Sequence, residues 1–410
     1  MKPVVLSRSQ HSISRKHIDR DALKVLYRLH KNGYIAYLVG GSVRDLLLGR
    51  TPKDFDIVTN ARPNRVRKLF RNAYLIGRRF RLVHVKFKHQ IIEVSTFRKT
   101  PHHQNGNDDD LLLRRENTFG TPVQDAQRRD FTINGLFYNI ADFTIIDHVN
   151  GLEDITHRCV RCIGDPDKRF REDPVRMIRA IRVAARLGFR IENTAWDGIL
   201  SLGAEVLKCA PARLLEEMFH LLKHGSAAES TKRLHQSRLM EHLMPELSKH
   251  YSDAVSSNFH LDILRNLDKL TGDHPFKSPA LIMACVFFPM VNHTTGYLRS
   301  GEDLRTRVEN CLKPQTQRFN FPRRYFDRMV QICIAQRWFS SNRKRRFRPM
   351  AFIKRNFFGE AFTLYCLHRM GNGDTQSNSL DIWYERIKSA DIPDAYKQDL
   401  LSVTSLPSEP

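Results

Sequence analysis

Asp54-Phe55-Asp56 places two carboxylates one residue apart. Alternate residues of a strand project from one face, so in an extended segment the two acids point together. Two unpaired carboxylates that close repel one another, and a divalent cation relieves the repulsion. A pair of Mg²⁺ ions held this way can activate a hydroxyl and stabilise a departing pyrophosphate. A third ligand has to come from a neighbouring strand. Glu93, an acid inside the apolar run 91–97, is the candidate, with an ordinary solvent-facing strand residue as the plain alternative. Upstream, Val39-Gly40-Gly41-Ser42-Val43-Arg44-Asp45 sets a Gly-Gly step before a helix start. Such a step lets backbone N–H groups approach a triphosphate closely, and Arg44, one turn into the helix, can add charge to the phosphates.

Two further motifs are rich in arginine. Arg128-Arg129-Asp130-Phe131-Thr132-Ile133-Asn134 is one, and Arg171-Glu172-Asp173-Pro174-Val175-Arg176-Met177-Ile178-Arg179-Ala180-Ile181-Arg182 is the other. At ~100° per residue, Arg176, Arg179 and Arg182 fall within an arc of about 120° on one helix. The rest of that helix is mostly apolar, so it is expected to be largely buried, and its arginines then need an anionic or polar partner. Asp173 and Arg176, three apart, can face one planar ligand: Asp accepts from an exocyclic amine while Arg donates to a ring nitrogen or oxygen. A structural salt-bridge lattice with no ligand is the alternative.

The elements that must position these groups divide the chain. Residues 12–31 read as a helix stopped by Asn32-Gly33, and 34–39 as a strand running into Gly40-Gly41. A helix over 43–48, a strand over 55–58, a Pro-opened helix over 63–70 and strands over 82–87 and 91–97 follow. Residues 99–110 read as a surface loop, and 131–139 and 143–149 close a small mixed unit of strands and helices. From Asp173, where Asp can cap and Pro suits a first turn, the pattern is helical to about residue 370, and the last forty residues are polar.

Bulk charge points the same way as the motifs. The chain has 410 residues with 67 Lys+Arg against 44 Asp+Glu, a formal balance of +23. That predicts a polyanionic partner, with nucleic acid first. Between residues 318 and 355 there are 12 Lys/Arg and one acid, Asp327, with aromatics interleaved. Each Phe there reads as core, and Arg343, Lys344, Arg345, Arg346 and Arg348 read as RNA contacts. Seven scattered cysteines argue against a disulfide framework. Cys159-Val-Arg-Cys162 is a lone CxxC, better read as two half-buried strand positions than as a zinc site. The longest apolar run, 280–291, contains Pro289 and is short of the roughly 20 residues that span a bilayer. No hydrophobic signal core opens the sequence, so a cytoplasmic location is expected.

Together GG-x-VRD, DFD, RRDFTIN and REDPVRMIRAIR resemble the class II nucleotidyltransferases of the polymerase β superfamily, a family holding CCA-adding enzymes and bacterial poly(A) polymerases. The motifs span residues 38–190. Gly77-Arg78-Arg79-Phe80-Arg81-Leu82-Val83-His84-Val85 and Ile13-Ser14-Arg15-Lys16 resemble the poly(A) polymerase branch, whereas residues 401–410 lack the Arg/Lys-rich tail common in it. The resemblance implies an α+β architecture: a polymerase-β-like head over 1–150, then an all-helical neck over 151–225, body over 226–310, basic RNA-binding tail over 311–375 and extension over 376–410. It implies that Asp54, Asp56 and Glu93 hold a two-Mg²⁺ site. Gly40, Gly41 and Arg44 then contact the nucleotide, and Arg129, Asp173 and Arg176 read its base with support from Arg179 and Arg182. Asp130 joins the catalytic set, either on the metal side or positioning the base-reading group. The implied activity is template-independent addition of AMP from ATP to RNA 3′ ends, tagging RNA for processing or decay. A CCA-adding tRNA nucleotidyltransferase and a non-catalytic RNA-binding adaptor are the rivals. The expected partners are RNA, ATP and RNA-decay or RNA-chaperone proteins, with no membrane, around a monomer.

Overall fold

Asp19 sets where the first helix begins. Its Oδ1 accepts from the backbone N–H groups of Asp21 (2.7 Å) and Ala22 (3.1 Å), so helix α1 runs Arg20–Lys31. The 12–31 expectation was too long because Ser14 caps a separate 3₁₀ turn over Arg15–His17. The computed structural model describes residues 2–77, 82–99, 119–251, 253–273, 278–296, 303–339, 347–371 and 378–403. The expected surface loop therefore lies, from residue 100, outside the described residues, as do Arg78, Arg79, Phe80 and Arg81.

Eight strands form one sheet: β1 Val4–Leu6, β2 Ala36–Val39, β3 Asp56–Thr59, β4 Ala73–Ile76, β5 Leu82–Lys86, β6 Ile91–Thr96, β7 Leu136–Asn139 and β8 Ile145–Asp147. Their order is β1-β8-β7-β2-β3-β6-β5-β4, antiparallel throughout except for the β3–β6 pair. The period-2 rule assigns the faces. Leu38, Ile57 and Val94 face a large core with α1, helix α2 (Gly41–Leu47) and helix α3 (Pro63–Leu69). Val39 and Val58 face the other side, against Phe97 and Phe137. Asp56 has the parity of Val58 and thus leaves the sheet on the face away from α1. Sequence reading missed the edge strands β1 and β4. Val4, Val5, Tyr74 and Ile76 stay exposed there, and the short runs Val4–Leu6 and Ala73–Ile76 are apolar without the alternation that marks a half-buried strand.

The chain splits into two compact units, Met1–Arg169 with Phe189–Ala195, and Phe170–Gly188 with Trp196–Pro410. The first holds the sheet. It also holds a short parallel pair, Cys159–Val160 with Arg190–Ile191, in which Cys159 is fully buried; Cys162 is buried and bridges to Phe131. The second is helical. Its first helix, Val175–Leu187, buries nine residues and ends at Gly188, whose φ of +69° suits a residue without Cβ. Helices continue past the expected limit, over Asn378–Ser389 and Asp394–Ser402. Only a few apolar anchors, Trp383, Ile387 and Leu400, are buried there, which is why composition hid them. Phe319, Phe321, Phe339 and Phe352 are core, as expected. Among the described residues no helix is long and apolar enough to cross a membrane.

Candidate active site

Gly40 stands where two side chains, Arg129 and Asp56, converge. Its φ of +77° and ψ of −139° are open only to glycine at low strain, and a Cβ there would lie 3.5 Å from Arg129 Nη1 and 3.9 Å from Asp56 Oδ2. Ser42 ties the turn down by donating to the Val39 carbonyl (3.0 Å). Asp56 opens β3, whereas Asp54 lies in the lead-in before the strand, so strand alternation is not what brings the two acids together. Both line one cleft of about 910 Å³ with Glu93 and His84, rimmed by Lys53 and Lys86.

Register supplies the third acid. Asp56 is the direct partner of Glu93 across the parallel β3–β6 pair, and Glu93 is the direct partner of His84 on β5, whose Nε2 lies 3.2 Å from Glu93 Oε1. Crowding by protein around the Asp56 carboxylate, then the charge of Glu93, lifts its pKa to about 6; Arg129 opposes the shift and Asp54 adds to it. A carboxylate held against its own charge beside other hard oxygen donors is the donor set a Mg²⁺-type cation uses. Among the described residues, however, no three such side chains are already drawn together closely enough to hold a metal.

Arg129 is held from behind. Asp125 is fully buried, and its Oδ2 accepts from Arg129 Nε (3.1 Å) and Nη2 (2.9 Å). Its Oδ1 accepts from Arg128 Nε (2.9 Å) and the Arg98 N–H (3.1 Å). Burial alone would push the Asp125 carboxyl up, but Arg129 and Arg128 hold it below the usual carboxylate range. Arg169 Nη2 donates to both the Arg128 and Arg129 carbonyls at 2.6 Å, fixing the loop. Asp130 Oδ1 accepts from the Phe131 N–H (2.8 Å) and Asn134 Nδ2 (3.2 Å). Arg44 is 4% exposed; it donates to Asp45 Oδ1 from Nε (2.9 Å) and Nη2 (2.7 Å) and to Asn134 Oδ1 from Nη1 (2.6 Å). Its guanidinium underlies Gly41, where a Cβ would meet Nη2 at 3.3 Å. It thus ties the Gly-Gly turn to the Asp130 loop, and a phosphate contact would have to share those bonds.

In the helical unit, Asp173 does not cap the helix after it. Arg213 takes its carboxylate with one hydrogen bond, Nη2 to Oδ2, and an ion-pair contact, Nη1 to Oδ1, both at 3.0 Å. Arg176 Nη1 lies 3.6 Å from Glu172 Oε2, so Asp173 and Arg176 have separate partners. Glu217 gathers the rest of the row, with Oε1 3.7 Å from Arg179 Nε and Oε2 3.2 Å from Arg182 Nε. Arg348 is exposed at the start of the Pro349–Ile353 helix, while Arg343, Lys344, Arg345 and Arg346 lie outside the described residues.

Sequence reasoning missed Asp125, Asp45, Asn134, His84, Arg213 and Glu217. Three left a local signal: Asp125 sits four residues before Arg129, Asp45 adjoins Arg44, and Asn134 sits four residues after Asp130. The others are joined by tertiary pairing or were read past as ordinary polar positions.

Known proteins match the chain in the same places. The family described as "Poly A polymerase head domain" matches residues 36–161, and that described as "Probable RNA and SrmB- binding site of polymerase A" matches residues 188–251. Poly(A) polymerase I of Salmonella typhi is 46% identical over 296 residues, 69% of this chain and 63% of that protein. The Haemophilus influenzae protein of that name is 40% identical over 69% of this chain and 65% of its own length. The chain thus spans just under two thirds of these relatives. The CCA-adding enzyme of Bacillus pumilus is 35% identical over 61% of each chain. Among solved structures, the Bacillus stearothermophilus CCA-adding enzyme in complex with CTP superposes with a TM-score of 0.65 at 25% identity, covering 95% of this chain and 89% of its own. With its motifs in order and its mixed-sheet head followed by helices, the chain is a member of the class II nucleotidyltransferases, the family of poly(A) polymerases and CCA-adding enzymes.

Proposed function

We propose that the chain is a template-independent RNA adenylyltransferase that adds AMP from ATP to RNA 3′ ends and releases pyrophosphate. The register pair Asp56–Glu93 beside Gly40 and Arg129 carries the chemistry. The choice of ATP is supported by identity, 40–47% to poly(A) polymerases against 33–36% to CCA-adding enzymes. Asp54, Asp56 and Glu93 would hold Mg²⁺, which when bound supplies hydroxyl activation and charge neutralisation on the leaving pyrophosphate. The Gly40-Gly41 turn would offer backbone N–H groups to a triphosphate. Arg129, which the family resemblance assigns to base reading, stands beside Gly40 and Asp56, so a phosphate contact is the role its position supports. Asp130, Asn134 and Arg44 keep that loop and the Gly40-Gly41 turn in one arrangement. Base reading falls to Asp173 and Arg176, with Arg179 and Arg182 oriented through Glu217. Arg348, with Arg343, Lys344, Arg345 and Arg346, would contact the RNA backbone, and residues 188–251 match a family description that names RNA. RNA-decay or RNA-chaperone proteins are the partners this role implies.

Purified protein given Mg²⁺, ATP alone and a generic RNA is expected to extend it, and Asp56→Asn to abolish extension. CCA addition is the second reading, favoured by the CTP-bound structural relative. No extension with ATP alone, together with C, C and A added to a tRNA lacking its terminus, would replace the first reading with the second.

A further inference from the structure

Large aromatic side chains in the helical unit are mostly core, and Trp338 departs from that pattern. It is 44% exposed at the end of the Arg323–Phe339 helix, while its neighbour Phe339 is 4% exposed. Trp338 is nonetheless not loose. Phe347 stacks on it, with ring centroids 5.4 Å apart and planes within 10°. Phe347 is itself anchored edge-on by Phe352 (5.6 Å) and Trp383 (6.1 Å), both buried. One side of the indole is thus partly covered by a fixed ring, while nearly half of the residue stays exposed. Exposed arginines flank the stack, Arg337 before Trp338 and Arg348 after Phe347. The surrounding stretch, 318–355, carries 12 basic residues against one acid.

We infer that Trp338, backed by Phe347, is a stacking platform for an unpaired base of single-stranded RNA, with Arg337 and Arg348 contacting the adjoining phosphates. This rests on the reading of the chain as an RNA-acting enzyme and names how one part of it grips the strand. Every base presents a π-face, so stacking suits a protein that accepts varied RNA ends without reading sequence. Pre-ordering by Phe347 removes much of the entropy cost of fixing a large side chain on binding. The local excess of positive charge favours a polyanion over an apolar protein surface as the occupant.

The test compares wild type, Trp338→Ala and Trp338→Phe, all full length, on short oligo(A) and on an abasic strand with the same phosphates. Trp338→Ala is expected to weaken oligo(A) binding ~5- to 100-fold and leave abasic binding unchanged, with Trp338→Phe recovering most of the loss. The slope of log Kd against log salt should not change, because no charge is removed. Unchanged oligo(A) binding, or an equal loss on both strands, overturns the proposal. So does a change in sedimentation of the free protein without a change in RNA binding, which would make the patch a contact between copies. AMP incorporation by the same preparations separates the two readings. A wild type that cannot extend RNA but shows the base-dependent loss leaves the platform standing without the polymerase. A wild type that extends RNA while Trp338→Ala binds normally removes only the platform.

Discussion

Replacing Asp125 by Asn tests whether the site depends on a residue that touches no ligand. The carboxylate is fully buried and receives both Arg128 and Arg129. Removing one partner of a buried pair typically costs about 3–5 kcal/mol, because the other charge is left uncompensated. Here the arginine side chains keep 29% and 19% of their exposure, so water recovers part of that, leaving roughly 2–3 kcal/mol. For a unit of this size that is a fall in Tm of about 5–10 °C. With the Asn oxygen in the Oδ1 place, accepting from Arg128 and the Arg98 N–H, the NH2 group stands where Oδ2 accepted both arms of Arg129, so that guanidinium is released and no longer stays beside Gly40. Losing one charge-assisted contact to the triphosphate, about 1.5–3 kcal/mol, should raise KM for ATP at least tenfold. The sign with pH follows from the depressed carboxyl. Its contribution is present above the unfolded value near 3.8 and is lost only as pH falls through the lower folded value. The Tm gap between wild type and variant should therefore be constant from neutral to mildly acidic pH and close only in strong acid. Paired thermal melts and ATP kinetics would refute the reasoning if Asp125→Asn melted with wild type, or melted early while keeping the wild-type KM.

Three other outcomes follow from the same geometry. Proton and divalent cation compete for Asp56, whose pKa is raised to about 6, so Mn²⁺ affinity should climb up to ~10-fold per pH unit below that value and level off above it; titration calorimetry giving a flat profile would contradict this. Gly40→Ala and Gly33→Ala both place a side chain at positive φ (+77° and +78°), but only Gly40 adjoins Arg129 and Asp56. Both should lose ~1–3 kcal/mol of stability, and only Gly40→Ala should lose nucleotide turnover beyond that. Glu217→Gln should loosen Arg179 and Arg182 together and cut the ratio of kcat/KM for ATP over CTP about tenfold; an unchanged ratio would remove Glu217 from base selection.

What the sequence reveals depends on how local the signal is. Gly40, Asp56 and the arginine row announce themselves because a turn, a strand start and a helix each fix their neighbours within a few residues. Glu93 could be nominated as an acid in an apolar strand. Its place beside Asp56, however, comes from a parallel pairing between strands separated by α3 and two further strands, and no short-range pattern specifies that register. The same limit applies to the acids that hold the arginines. Glu217 lies on the Pro211–Leu222 helix, and nothing in its own surroundings ties it to Arg179 and Arg182. Helix starts were misjudged where capping decides them. Asp19 caps α1, whereas Asp173, which has the right type and place for a cap, is taken by Arg213 instead.

These pairings change what the charge balance of +23 means at the site. Arg44 is matched by Asp45, Arg128 and Arg129 by Asp125, Arg176 by Glu172, and Arg179 and Arg182 by Glu217. These six arginines thus share four acids, which fix where their charges point and offset most but not all of them. At the Asp56 carboxylate, beside the Gly40 turn, the local balance is of the other sign. The pKa of Asp56 rises first because protein crowds its carboxylate and then because Glu93, with a smaller push from Asp54, repels its ionised form against the pull of Arg129. A bare triphosphate brought to that turn would meet carboxylates, and its own negative charge would raise the pKa of Asp56 further. A triphosphate arriving with its divalent cation reverses both effects, because one ion offsets charge on each side. ATP binding and cation binding are thus expected to be positively coupled at this site. The general excess of lysine and arginine elsewhere is left to hold the RNA strand, a task that needs charge without orientation.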